Sequence, residues 1–184
     1  MLDRPEAFEL LSEYTQNENL IRHALSVEAA MRHYAVLSHE DEELWGVVGL
    51  LHDFDYERFP SHNEHPYEGA KILRERGYDE AIIKAILSHA PYTNVPRETL
   101  LEKTLFAVDE LCGLVTAVAL VRPSKSLTDV KVKSVKKKMK DKAFARGVNR
   151  DHIREGTEAL GIDLATHIDN VITAMRRVSS DLGL

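Results

Sequence analysis

Residues Leu50 to Phe59, LLHDFDYERF, set a histidine and an aspartate side by side directly after the apolar run Trp45 to Leu51. An unpaired charge at the end of a buried segment is expensive. Asp53 therefore needs a cation, and two kinds are on offer: a basic side chain, or a metal ion held with the help of histidines.

The pattern around this stretch is helical nearly everywhere. Phe8 and Leu11 mark a first segment, and Leu20, Ala24, Val27, Met31 and Tyr34 recur three or four residues apart along one face. The acidic cluster from Glu40 to Glu43 suits the start of a helix that runs through Trp45 and Val48 to His52. Phe54 to Glu64 reads as a loop, with Asp55 and Glu57 expected on its surface. Pro66 and Gly77 bracket a further helix, and Asp79 caps the next, which stops before Pro91. A loop over Ala90 to Arg97 leads into the longest apolar helix, Thr99 to Leu120, ended by Pro123. Ser126 and Asp129 resemble a capping box opening a lysine-rich segment, and two helices follow, around Arg150 to Leu160 and Leu164 to Val178. With no alternating strand pattern and no internal repeat, the expected fold class is all-α. Residues 1–121 form the expected core, with 122–184 packed on it as part of a single domain.

Composition agrees with that picture. The 184 residues are 43% hydrophobic and 29% charged, an ordinary globular balance with enough chain to bury a core. The single cysteine, Cys112, excludes an internal disulfide framework and fits a core position. There is no leader-like start and no apolar stretch long enough to span a bilayer, so membrane insertion is not expected and the default address is the cytoplasm.

Nine histidines are many for this length, and several share the apolar stripe of their helix. His23 lies between Leu20 and Val27. His89 follows Ile82 and Ile86 by seven and three residues. Asp109 is flanked at helical neighbour positions by Leu105, Phe106 and Cys112. A solitary inward histidine is usually a hydrogen-bonded core residue. His23, His52, Asp53, His89 and Asp109 together, with His65 at the start of another helix, leave several ionisable groups with no basic partner. A metal ion satisfies them jointly, and a mixed nitrogen and oxygen set suits iron, manganese or zinc.

In these residues the chain resembles the HD-domain superfamily of metal-dependent phosphohydrolases, which are all-α. His23, then His52-Asp53 closing a helix, then Asp109 in a later helix follow its H…HD…D pattern. His65-Pro-Tyr-Glu-Gly69-Ala70 and Ile86-Leu-Ser-His89 look like the segments that supply further ligands in its bimetallic branch. Leu100 to Asp109 is similar to the corresponding helix of HD-type diadenosine tetraphosphate hydrolases. The resemblance covers residues 18 to 115. It implies that His23, His52, Asp53 and Asp109 hold one divalent ion and that Asp53 bridges to a second held by His65 and His89. His62 competes with His65, which is preferred for its spacing to Gly69-Ala70. Iron or manganese is favoured, with zinc or nickel also compatible. His52 and Asp53 would then stand at the centre of catalysis, with a metal-bound hydroxide attacking phosphorus.

Net charge is −6, but Arg122 to Arg150 carries eight lysines and three arginines against Asp129 and Asp141, a local +9 that leaves −15 for the rest. Because this segment begins directly after the Asp109 helix, Arg122, Lys125 and Lys131 are expected at the mouth of the site as anchors for a small phosphorylated substrate. Lys136, Lys137 and Lys138 are consecutive and cannot share one face. Only Phe144 offers an aromatic surface nearby, which gives little support for binding single-stranded nucleic acid. Two other functions fit the same residues. One is an HD-fold oxygenase with a mixed-valent iron pair. The other is a non-catalytic module docking RNA or an acidic partner.

Overall fold

The structure, a computed structural model, describes residues 3–184. Among them are ten α-helices and no strand: α1 (Arg4–Tyr14), α2 (Glu18–Ser38), α3 (Glu42–Leu51), α4 (Tyr67–Glu75), α5 (Glu80–His89), α6 (Leu100–Leu120), α7 (Val132–Met139), α8 (Arg150–Ala159), α9 (Leu164–Arg177) and α10 (Ser179–Leu182). The chain is all-α, as its periodicity requires.

Short polar side chains set most helix starts. Asn17, Asp41, Asp79, Asn149 and Asp163 each accept a hydrogen bond from a backbone N–H of the first turn they precede, satisfying donors that have no partner within the helix. Thr99 opens α6 with a full capping box: its hydroxyl accepts from the N–H of Glu102, whose carboxylate in turn accepts from the N–H of Thr99. At the lysine-rich segment the expected capping box is absent. Ser126 instead caps a short 3-10 turn, Leu127–Asp129, and α7 begins only at Val132. The turn is buried through Leu127 and Val130, and Arg176 of α9 donates to the carbonyl groups of both.

The core lies where α2, α3, α6 and α9 meet. Val27 and Met31 of α2, Val48 and Leu51 of α3, Leu111 and Val115 of α6, and Ile168 and Met175 of α9 are fully or almost fully buried in it. The helix α8 crosses α6 closely because Gly156 lacks a side chain. A Cβ there would stand 2.5 Å from Ala107 Cα. Between α3 and α4 the chain turns through residues 52–66, and this stretch is not the surface loop its polarity indicates. Phe54 is fully buried and Asp55 is 1% exposed. The packing of α3, α5 and α6 around this turn brings the ends and middles of several helices to one cavity.

Candidate metal centre

Asp53 stands one residue past the C-cap of α3 and projects between two histidine groups. On one side its Oδ2 lies 3.5 Å from His52 Nε2. His52 is in turn 3.6 Å from Asp109 Oδ1, and His23 Nε2 is 2.9 Å from the same oxygen. On the other side its Oδ1 lies 3.2 Å from both His65 Nε2 and His89 Nε2. Candidate donor atoms within each set, His23, His52 and Asp109 or Asp53, His65 and His89, all lie within 4.8 Å of one another. Six side chains from α2, the end of α3, the entry to α4, the end of α5 and the middle of α6 thus converge. His62, the competitor of His65, stacks on Tyr92 at 4.3 Å between ring centroids, away from both sets but on the wall of the same cavity.

The imidazoles are held from behind. His52 Nδ1–H donates to the Gly49 carbonyl at 2.7 Å, and His89 Nδ1–H donates to the Ile86 carbonyl. His65 Nδ1–H donates to Asp55 Oδ1 at 2.8 Å. With each Nδ1 carrying its proton outward, every Nε2 faces Asp53 or Asp109 with a lone pair. Such a pair repels unless a cation neutralises it, either a proton taken up by the imidazole or a metal ion held by both groups. His52 Nε2 and Asp53 Oδ1 are indeed buried without any hydrogen-bond partner. Outward Nδ1 hydrogen bonds of this kind are the usual support of metal-ligating histidines.

The chain treats a structural buried carboxylate differently. Glu28, 4% exposed, is met by Arg4 at 2.6 Å and Arg32 at 2.9 Å. Asp53 and Asp109 meet only imidazoles. Burial opposes their charge, but His52, His65 and His89 hold Asp53 well below the usual carboxylate range, and His23 and His52 do the same for Asp109. Burial likewise opposes a charge on His52, yet Asp53 and Asp109 outweigh it and push the imidazole up to about 9. His65 is pushed up to about 9 against burial by Asp53 and Asp55. The ligand field is therefore strongly cation-seeking, and its nitrogen and oxygen donors fit a divalent ion.

Asp55 corrects the sequence reading most directly. Expected on the loop surface, it is buried, and it accepts from both His65 Nδ1–H and the backbone N–H of Gly69 at 2.9 Å. Gly69 permits this approach, since a Cβ there would stand 2.7 Å from Asp55 Cγ. Glu57 does remain at the surface, where it accepts from the N–H groups of Gln16 and Asn17.

The cavity in front of the two groups measures about 450 Å³. Tyr56 and Tyr92 line one side, and the Tyr92 hydroxyl donates to the His65 carbonyl at 3.0 Å. Glu110 and His152 line another, 3.7 Å apart, with Glu110 also accepting from the N–H of Asn149 at the start of α8. Burial pushes the Glu110 carboxyl up to about 7. Sequence reasoning missed this wall. Glu110 carries a local signal, being on the α6 face of Phe106 and Gly113, whereas His152 has none, because only the packing of α8 on α6 brings it there.

Arg122, Lys125 and Lys131 were expected at the mouth and do not line the cavity. Asp109 lies at the middle of α6, and the eleven residues from it to Leu120 carry the chain about 16 Å along the helix axis. Arg122 then sits in the following turn, Lys125 is exposed in a left-handed backbone conformation, and Lys131 is exposed at the start of α7. Lys136 and Lys137 are exposed as well, while Lys138 lies over the Phe144 ring.

The geometry sits inside the segment that matches a known family. Residues 20–114, just over half of the chain, match the family model described as HD domain. The chain belongs to the HD domain family. HD domains are in general metal-dependent phosphohydrolases that bind divalent ions, and the His and Asp groups of this HD domain could hold such ions. No curated protein and no solved structure gives a match. No helix of the described residues is long and apolar enough to cross a membrane.

Proposed function

We propose that this HD domain is a bimetallic phosphohydrolase that cleaves a phosphate ester of a small metabolite. His23, His52 and Asp109 would hold one divalent ion and His65 and His89 a second, with Asp53, which faces both groups, as a ligand available to each. The observation that carries this reading is the position of Asp53: its two oxygens address two separate histidine groups, and Oδ1 and the facing His52 Nε2 are buried without a hydrogen-bond partner. When bound, a pair of divalent ions supplies Lewis acidity toward the phosphoryl oxygens and lowers the pKa of an attacking water.

The chain's own residues provide the rest. Gly49, Ile86 and Asp55 fix the imidazole orientations, so the ligands are preorganised before substrate arrives. Tyr56 packs edge-on against His65 on the cavity wall. Glu110 and His152 line the same cavity, where either can deliver a proton to a leaving oxygen. No lysine or arginine lines this cavity among the described residues, so substrate charge must be met chiefly by the ions. That favours a single phosphate over a dinucleoside polyphosphate.

The test is a panel of phosphorylated metabolites assayed for phosphate release, with protein purified without chelator and its iron, manganese, zinc and nickel measured in parallel. Hydrolysis of at least one ester, lost in Asp53→Ala together with the metal, is the expected result. Full metal occupancy with no phosphate released from any ester, or consumption of dioxygen by an iron-loaded sample, would overturn it.

A further inference from the structure

A second cavity, about 350 Å³, opens beside the first between the start of α2, the second half of α6 and the C-terminal turn. The two share His23 and Gly113 in their walls. Beyond that boundary the chemistry changes. The metal cavity is walled by imidazoles, carboxylates and tyrosines, whereas the second offers Leu120, Leu182 and Leu184, with Asn19, Arg22 and Thr116 as polar residues besides the shared His23.

Gly113 marks the join. It lies in the interior of α6, where glycine costs about 1 kcal/mol relative to alanine. Neither backbone nor packing requires it: it is not among the residues of positive φ, and a Cβ there would meet only Val148 Cγ2, at an ordinary 3.7 Å. Contrast Gly69 and Gly156, where an added Cβ would strike a neighbour. What the missing side chain leaves is open space at a residue that lines both cavities.

We infer that the second cavity receives the organic body of the substrate, an apolar or aromatic alcohol portion, while its phosphate stays at the metal ions, and that Gly113 keeps the connection open. This rests on the phosphohydrolase reading, since it divides a phosphate ester between a charged end and an apolar end. Arg22, paired with Glu18 at 2.9 Å in an exposed position, and Asn19 then meet polar substituents at the far rim.

Calorimetric titration of the manganese-loaded protein with methylphosphonate and with benzylphosphonate, neither hydrolysable, tests it. Benzylphosphonate is expected to bind at least about tenfold more tightly, from the ring surface it buries. In Gly113→Leu and in Thr116→Trp, made separately, that preference should collapse towards one. Thermal melts of both variants, recorded alongside, separate a loss of preference from a loss of fold. Equal affinity for the two ligands, or a preference surviving in both variants, overturns the inference while leaving the phosphohydrolase reading intact. Failure of both ligands to bind removes that reading and the inference with it.

Discussion

Asp55 and His65 are joined by a buried hydrogen bond of 2.8 Å that turns His65 Nε2 toward Asp53. Ten residues apart in a polar turn, they make one unit with the Gly69 N–H, which donates to the second Asp55 oxygen. Asp55→Asn keeps the volume but loses the charge that makes His65 a strong donor of its lone pair. It should weaken binding of one ion by roughly 10–100-fold while the other is retained. Metal titration followed by elemental analysis of the dialysed protein reads this directly, and two ions held as firmly as in the parent would contradict it.

Gly69→Ala should reproduce the Asp55 defect without touching an ionisable group. Its Cβ would stand 2.7 Å from Asp55 Cγ, so the carboxylate must move and leave two donors short of their acceptor. An unsatisfied buried donor costs about 1–3 kcal/mol. Urea denaturation of the two variants should give losses of that size, and the double variant should lose less than their sum, because both break one contact.

Much of this arrangement is legible in the amino-acid order, and the exceptions have physical causes. Asp41, Asp79 and Thr99 announce helix starts because capping is local chemistry. His23, His89 and Asp109 announce themselves as polar groups on apolar stripes. Asp55 does not, since an acid between Phe54 and Tyr56 in a turn reads as solvated until Gly69 and His65 are seen to close over it. The Arg122, Lys125 and Lys131 expectation fails for a related reason. It took adjacency along the chain for adjacency in space, across half of a 21-residue helix. His152 reaches the cavity only because Gly156 lets α8 press on Ala107, a fact of packing that no spacing of histidines encodes.

Removing single ligands should separate the two ions. His89→Ala is expected to lower bound metal from about two ions per chain to about one, because it strips a donor from only one group, whereas Asp53→Ala removes the carboxylate that faces both groups and should empty both. Lys131→Ala and Lys137→Ala, exposed and off the cavity wall, should leave metal content and turnover as they are. Inductively coupled plasma analysis of the four proteins decides among these. A wild-type protein that never holds more than one ion would remove the bridging role of Asp53.

Stability should fall on mild acidification through a histidine outside the metal centre. His167 of α9 is fully buried, donates from Nε2–H to the Ala107 carbonyl at 2.9 Å and accepts from the Tyr34 hydroxyl at 2.6 Å, so both nitrogens are committed in the neutral form. Burial pushes it down to about 4, against an ordinary 6.5. Between those values the unfolded chain binds a proton that the folded chain refuses. Folding stability therefore rises with pH across that window and is lost as pH drops from about 6.5 toward 4. At one unit of pKa for each 1.36 kcal/mol, this residue alone should cost about 2–3 kcal/mol by pH 4.5. His167→Gln, which has no proton to gain, will start from a lower stability at pH 7 but should lose less on acidification. Urea melts of both proteins at pH 7 and pH 4.5 measure the difference, and identical losses would mean that His167 is already free to protonate in the folded state.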